Sequence, residues 1–307
     1  MKIIFTVLLS LFTFLIGYSQ TASYKTHLNK GKKAFNSAEQ LFGNDNAKQA
    51  IITYHQAVAS FKQALKLNPS GTEAHYFLGY TYSRLNHTDG QSLVTMTLPM
   101  ALITSHEFER VNKLTLKYKG QQLALDPYSK IGSEWASLAL KYIYQNKADS
   151  AVWALKEGNK RGGFSDLNLS VCREMLSACH KNAILISSGD VFTFTFLYLQ
   201  KVEQLRQDVI VADVSLLNTD WYPNLLMNSE RLAISLPKAQ LDTINYIAWK
   251  DTILSINIRN SNKSFLWKLK PSYAGEYLLR GDRILLNILQ TNEFERDIYF
   301  TPRICRV

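Results

Sequence analysis

The amino-acid sequence predicts a superhelix of α-helical hairpins followed by a small α/β domain with a partly parallel sheet. Two observations predict this architecture. In the first half, small and large apolar residues recur at helical spacing with a period of about 34 residues, which is typical of stacked hairpins. From residue 183 the period changes, and short apolar runs alternate with helical patterns. We therefore expect helical repeats over 20–181 and an α/β domain over 182–307, behind a leader at 1–19.

The leader has the features of a secretory signal peptide. Met1-Lys2 is a short basic start, residues 3–16 form an apolar run, and Gly17-Tyr18-Ser19 precedes Gln20. An uncleaved anchor is the alternative, but an anchor needs about 20 apolar residues and this run is shorter. No later stretch is apolar enough to span a bilayer. We therefore expect a periplasmic or secreted protein with no transmembrane span in the mature chain.

Composition and charge exclude several classes of protein. With 46% hydrophobic and 20% charged residues, the chain has the usage of a globular protein and not of a disordered tail or a fibre. The net charge is +10, and +8 of it lies in residues 20–181. A basic first half favours an acidic protein, glycan or lipid partner, although solvated helix faces are the simpler explanation. Secretion disfavours nucleic acid.

The cysteines and histidines of the sequence do not indicate a disulfide scaffold or a metal site. Cys172, Cys179 and Cys305 are too few for a disulfide-stapled scaffold, and no His/Cys cluster has the spacing of metal ligands. We expect neither a metal nor a cofactor.

The helical pattern marks recurring hairpins between residues 24 and 180. The clearest second helix carries Ala57, Phe61 and Ala64, and Pro69 ends it by removing a backbone donor. Small residues let two helices approach, while large ones fill the hollow beside them. The matching positions of the following helices are Leu78, Gly79, Tyr82, Trp135, Leu138, Ala139, Tyr142, Ala151 and Leu155. This pattern resembles the tetratricopeptide-repeat family, which implies a right-handed superhelix of at least three hairpins.

Two segments of this half depart from the repeat. Residues 91–119 fit the register poorly, which indicates a long insertion or a degenerate hairpin. Gly162-Gly163 closes the third repeat, and Ser165 is the expected N-cap of a terminal helix over 164–180.

Three tyrosines of the repeats are candidates for a partner groove. Tyr54, Tyr76 and Tyr80 lie on predicted helices, where aromatic rings can line a concave groove that grips a peptide. The alternative is packing between helices, which helical spacing by itself also predicts.

In the second half, residues 183–187 form a short apolar run that predicts a buried parallel strand. A helix over 192–205 and a second strand over 208–216 follow. Shorter strands are expected at 244–248, 253–258 and 264–269, a helix at 281–290 and a last strand at 297–301.

Residues 180–301 carry a second resemblance. It rests on 182–186, Gly189-Asp190, Tyr198-Leu199-Gln200, Val202-Glu203, Arg206, Asp208-Val209, 215–222 and 296–300. These residues are similar to the soluble extracytoplasmic region of a family of bacterial membrane proteins described as protein O-mannosyltransferases. Family members hold their presumed transferase machinery in a membrane portion, so the resemblance implies a shared module and not the reaction. The family usually continues Gly-Asp with Asn-Asp-Thr-Phe, whereas Gly189-Asp190 is followed here by Val191-Phe192-Thr193-Phe194.

The ends of the first two strands supply the candidate ligand site. Ligands of open parallel sheets bind beyond the carboxyl ends of the strands. Asp190, Asn218 and Asp220 would share a pocket there with the rings of Trp221 and Tyr222, a composition suited to a sugar or a cation. The alternative is that the polar residues cap helices and the two rings pack beneath them.

No catalytic signature is present in the sequence. There is no Gly-x-Ser-x-Gly elbow, and Gly162-Gly163 lacks the strand and lysine of a phosphate loop. We therefore expect a non-enzymatic cell-envelope adaptor that binds a protein or peptide through its helical repeats. The alternative is a carbohydrate-binding or glycosylation-accessory protein that uses the α/β loops.

Overall fold

The computed structural model describes residues 2–302, and their side chains from residue 21 onward. The contacts divide the chain into two compact units. The helical unit runs to Thr88 and resumes over Thr95–Glu134, and the mixed unit comprises Asp89–Val94 and the chain from Trp135 onward. The expected domain boundary at 181/182 and the expected signal peptide stay predictions. The leader's side chains and Cys305 lie outside the described part.

Seven α-helices precede the first strand, and they form helical hairpins as the sequence predicts. In the helical unit α1 packs on α2, α2 on α3 and α3 on α4. The helices are α1 (Lys2–Gly43), α2 (Ala47–Leu67), α3 (Thr72–Asn86), α4 (Leu98–Leu114), α5 (Pro127–Tyr144), α6 (Ala148–Lys160) and α7 (Asp166–Ala178).

Close approach of a small residue to a large ring holds these hairpins together, as predicted. A Cβ atom placed on Gly79 of α3 would lie 2.9 Å from the Phe108 ring of α4. The same arrangement joins α5 and α6, where a Cβ on Gly158 would lie 2.7 Å from the Cβ of Trp135. Both aromatic side chains are fully buried. Helix packing in both units therefore depends on these glycines having no side chain.

The irregular segment 91–119 contains a degenerate hairpin helix. Its residues form a 3-10 turn (Ser92–Thr95), then α4, then the start of an extended connection that runs to residue 126. The predicted cap of the terminal helix is confirmed, because the Asn168 N–H donates to Ser165 Oγ at 3.2 Å. α7 packs against the first helix of the α/β region.

A three-stranded parallel sheet forms the centre of the α/β region. Its strands are β1 (Ile184–Ser187), β2 (Ile210–Asp213) and β7 (Ile298–Phe300), in the order β2-β1-β7. α8 (Asp190–Lys201) connects β1 to β2 and packs on β2. All four residues of β1 are buried, as a central parallel strand requires. The predicted fold class is thereby confirmed.

The remaining elements lie between β2 and β7 in the order of the chain. Two short antiparallel pairs, β3 with β6 and β4 with β5, stand apart from the parallel sheet. The elements are a 3-10 turn (Leu216–Asn218), α9 (Tyr222–Ser229), α10 (Lys238–Thr243), β3 (Ile247–Ala248), β4 (Thr252–Asn257), β5 (Ser264–Leu269), β6 (Tyr277–Leu278) and α11 (Arg280–Asn292).

In the part of the chain that the structure describes, none of the helices combines the length and the apolar character that crossing a bilayer needs. The two described cysteines, Cys172 and Cys179, are buried free thiols, as their spacing predicted. Burial raises the pKa of Cys172 to about 12, so this thiol is poorly reactive at neutral pH.

Candidate functional site

The carboxyl ends of β1 and β2 are adjacent, as the candidate site requires. Ser187, the last residue of β1, pairs in register with Asp213, the last residue of β2. Thr193 of α8 joins them, since its hydroxyl lies 2.8 Å from Ser187 Oγ and 2.5 Å from Asp213 Oδ2. All three side chains are buried. A closed polar chain therefore occupies the strand ends, where the sequence predicts an open pocket.

Asp213 is the residue of this site that sequence reasoning missed. Burial raises the pKa of its carboxyl above the ordinary value, and the Asp190 carboxylate adds to the shift, while hydrogen bonds from Thr193 and the Leu216 N–H oppose it. Oδ1 accepts the Leu216 N–H at 2.9 Å and so fixes the turn after β2. An aspartate that ends an apolar run, as in residues 210–213, was the signal that could have identified it.

Two of the predicted ligand residues present exposed carboxylates. Asp190 begins α8 directly after Gly189, whose positive φ of 87° suits a residue without a side chain. Asp220 is paired with Gln91, which donates to the Asp220 carboxylate at 3.1 Å and accepts the Asp220 N–H at 2.8 Å. The Arg280 guanidinium lies 3.6 Å from Asp220 Oδ1. Both carboxylates stay candidates for ligand contact.

Asn218 caps a helix. Its Oδ1 accepts the Gly281 N–H at 2.8 Å at the start of α11. A Cβ on Gly281 would lie 2.7 Å from the Val214 carbonyl oxygen, so this approach requires glycine. Asn218 therefore joins the turn after β2 to α11.

The two rings predicted to face a ligand are buried. Trp221 is 5% exposed, and its Nε1 donates to the Gly90 carbonyl at 2.9 Å. Tyr222 is 4% exposed, and its hydroxyl accepts the Asp213 N–H at 3.2 Å. Burial raises the pKa of Tyr222, and the Asp213 carboxylate adds to the shift. Both rings pack beneath the loop, which is the alternative that the sequence left open.

Two charged residues of the resemblance, Arg206 and Asp208, have structural roles. Arg206 donates to the carbonyl oxygens of Leu176, Cys179 and His180 at 2.8–3.0 Å, which terminates α7. Asp208 accepts from Arg206 at 2.8 Å and from the Asn182 N–H at 2.9 Å. The hydrogen bond from Arg206 holds the pKa of Asp208 well below its usual range. These residues lock α7 to the entry of β1.

A cleft in the mixed unit is a further concave feature of the described residues. It consists of two adjoining pockets that share Ile143, Lys201 and Glu230. An ion pair of 3.2 Å between Lys201 and Glu230 lies at their common wall. Of the five predicted ligand residues, Tyr222 contributes to the lining. The cleft offers mixed aliphatic and amide surface from α5, α6, α8 and α9.

The three tyrosines of the predicted partner groove are buried in the helical unit. Tyr54 is 1% exposed and donates to Glu39. Tyr76 and Tyr80 are 0% and 4% exposed, and both hydroxyls donate to the Leu125 carbonyl oxygen. Tyr76 and Tyr80 thus contact an extended segment of the chain itself, whereas Tyr54 contacts a neighbouring helix.

One family model matches the chain. The model, TMEM260-associated domain 2, matches residues 168–264, which is less than a third of the chain. The matched segment begins in α7 and ends at the first residue of β5, so it contains β1, α8 and β2. It overlaps the segment that resembles the O-mannosyltransferase family. No tetratricopeptide model matches the helical half. No curated protein and no solved structure matches this chain.

Proposed function

We propose that the protein is a non-enzymatic adaptor of the cell envelope that binds a protein or peptide partner through its helical half. The observation that carries the proposal is the contact between α3 and an extended segment of the chain. The hydroxyls of Tyr76 and Tyr80 form hydrogen bonds with main-chain groups of Leu123 and Leu125. A helix face that already forms hydrogen bonds with one extended segment has the geometry to bind an extended peptide of a partner in the same way. The excess positive charge of this half favours an acidic partner.

The non-enzymatic part of the proposal is supported by the state of two buried carboxylates. Asp213 is bonded to Thr193 and the Leu216 N–H, and Glu134 is paired with Lys130. Each is buried and directed to its own neighbours, so neither has the reach to a substrate that general acid–base catalysis needs.

Location in the envelope is part of the same proposal and is supported by the sequence of residues 1–19. N-terminal sequencing of the protein from the periplasmic or secreted fraction tests it. A chain that begins at Gln20 is the expected result. Recovery of the uncleaved chain in carbonate-washed membranes would contradict it.

Site-specific photocrosslinking in cells tests the adaptor proposal. The photoreactive residue replaces Ile52 or Leu116, both exposed in the helical unit, and Ile253, exposed on β4 of the mixed unit, serves as the matched control. We expect a discrete adduct of higher mass from the first two positions and none from Ile253. Adducts from Ile253 alone, or from none of the three, would contradict the proposal.

A carbohydrate-binding function is the second candidate. It is supported by the exposed carboxylates of Asp190 and Asp220 at neighbouring loops and by the similarity of residues 168–264 to TMEM260-associated domain 2. Titration calorimetry with envelope glycans and divalent cations tests it. A saturable heat that Asp190→Asn and Asp220→Asn both abolish would favour this function over the adaptor.

A further inference from the structure

The connection between α4 and α5 is unusually long and has no helix or strand. It covers residues 115–126, and we refer to residues 116–126 as the strap. Connections of about 12 residues without secondary structure are uncommon in compact domains and often have a function. At its end, Asp126 accepts the N–H groups of Tyr128 and Ser129 and so caps α5. The end of the strap is therefore fixed at the start of α5, while its middle lies along α3.

Three alternate amides of the strap donate to three side chains on one face of α3. Alternate amides of an extended chain are about 6.7 Å apart, and side chains one turn apart on a helix are about 5.4 Å apart. The two spacings are close enough for three successive pairs to form. The pairs are Gln121 N–H with Glu73 at 3.3 Å, Leu123 N–H with Tyr76 at 2.9 Å and Leu125 N–H with Tyr80 at 2.6 Å.

The two tyrosine hydroxyls also return a bond to the strap. Tyr76 and Tyr80 donate to the Leu125 carbonyl oxygen at 2.7 and 3.0 Å. Each hydroxyl thus uses both its donor and an acceptor position on main-chain groups. This is the way a peptide is held when its backbone, and not its side chains, is recognised.

One strap side chain is recognised as well. The Tyr118 ring stacks on Tyr76 with centroids 4.4 Å apart and an interplanar angle of 21°. A Cβ on Gly120 would meet the Tyr118 ring, so glycine lets the chain turn beneath it. Most of the other strap side chains, including Leu116 and Gln122, are exposed. The face of α3 therefore contacts an extended main chain and one aromatic ring.

We infer that this face of α3 is a peptide-binding groove that the strap occupies in cis. In the complex, an extended peptide of the partner, with one aromatic residue, takes the place of the strap. The amides five and seven residues after that aromatic residue take the places of Leu123 and Leu125. The inference rests on the proposed function and adds its regulation. Because the strap is tethered, its effective concentration is on the order of millimolar, and a partner must compete with it.

Proline substitution tests the groove by removing strap donors. Leu123→Pro/Leu125→Pro deletes both N–H groups outside any helix, and Gln122→Pro, at the exposed residue directly before them, is the matched control. The probe is a fluorescein-labelled peptide of residues 116–126, and fluorescence anisotropy measures its binding to the full chain. We expect the double variant to bind at least tenfold more tightly than the unaltered chain or Gln122→Pro. Adding Tyr76→Phe and Tyr80→Phe should weaken that binding at least tenfold.

Two results would overturn the inference. One is a double variant with native circular dichroism that gives no saturable binding, and the other is binding that the tyrosine substitutions leave unchanged. Hydrogen exchange on the unaltered chain decides the matter if the variants do not fold. We expect the amides of Leu123 and Leu125 to exchange at least tenfold faster than those of Tyr76 and Tyr80. Exchange of all four at one rate would make the strap a permanent part of the fold.

The inference and the proposed function fail separately. If the labelled peptide binds the released groove but no envelope protein is crosslinked, the groove inference is supported and the adaptor function is contradicted. If a partner is crosslinked but does not compete with the labelled peptide, the adaptor function is supported and the groove inference is contradicted.

Discussion

Among the described side chains each unit buries one carboxylate, Glu134 in the helical unit and Asp213 in the mixed unit, and the two have opposite pKa shifts. In the helical unit, burial would raise the pKa of Glu134, but the Lys130 ammonium at 2.7 Å and the His87 ring outweigh it and hold the pKa well below its usual range. In the mixed unit, Asp213 faces a threonine hydroxyl and a backbone N–H, and burial raises its pKa. The cation beside Glu134 therefore accounts for the opposite direction of its pKa shift.

The difference follows from the local structure. Lys130 and Glu134 are four residues apart on α5, where a helix brings such side chains onto one face. At the end of β2 the neighbours are α8 and the turn that follows the strand, and they supply Thr193 and the Leu216 N–H. The cation beside Glu134 therefore comes from its own helix, with further contacts from Ser83 and His87, whereas the strand end satisfies its carboxyl with neutral donors.

Removing the cation in the helical unit should have the largest effect. Lys130→Met leaves Glu134 buried without its ammonium partner, which we expect to reduce the free energy of unfolding by about 3–5 kcal/mol. Urea denaturation followed by circular dichroism measures the loss. The matched control is Lys160→Met, whose ion pair with Glu157 is long at 3.9 Å and exposed, and which should change stability by less than about 0.5 kcal/mol. Equal effects would break the comparison.

Acid should destabilise the chain through Glu134. Its folded pKa is lowered, so its contribution is complete above the ordinary value of 4.5 and is lost as the pH falls below that value. We expect the melting temperature to fall between pH 5 and about 3, and Glu134→Gln to flatten that fall. Parallel curves for the two proteins would show that Glu134 does not titrate in this range.

Asp213 should respond to pH in the opposite direction. Its folded pKa is raised, so its contribution is complete below the ordinary value of 3.8 and decreases as the pH rises through the raised pKa. All five tryptophans lie in the mixed unit, so their emission follows its unfolding. We expect Asp213→Asn to remove this dependence and Asp213→Ala to cost about 1–3 kcal/mol by leaving the Leu216 N–H unpaired. An Asn variant with unchanged pH dependence would contradict the assignment.

The exposed carboxylates of the candidate site should have the smallest effects. Asp190→Asn removes a charge at the start of α8, worth about 0.3–1 kcal/mol. The exposed Asp220 carboxylate forms a long pair of 3.6 Å with the buried Arg280, worth about 0–1 kcal/mol. Thermal unfolding measures both. A loss as large as that of Lys130→Met would show that these carboxylates are part of the core.

Element types were predictable where the period of the apolar residues was clear. Ala57 and Phe61 marked α2, and residues 183–187 marked β1. α9 and α10 were missed because they are short and have no sustained helical period. α4 was ambiguous because the insertion that precedes it moved it out of register with the repeat.

The candidate site shows more clearly what a sequence pattern does not predict. The sequence predicted that the ends of β1 and β2 are adjacent, and the register of Ser187 and Asp213 confirms this. It did not distinguish a ring that faces a ligand from one that packs, and the structure buries Trp221 and Tyr222. Periodicity reports which residues are apolar, but burial depends on which distant element covers them.

The short-range period of the apolar residues and the rule of parallel pairing were enough to predict the hairpins, the change to an α/β region and the adjacency of two strand ends. The side-chain partner of Asp213 and the partners of the Tyr76 and Tyr80 hydroxyls became clear from the folded chain, because they lie far away in the sequence. Asp213 is 20 residues from Thr193, and Tyr80 is 45 residues from Leu125. A buried polar group takes whichever partner the fold brings within about 3 Å, and no local pattern encodes that choice.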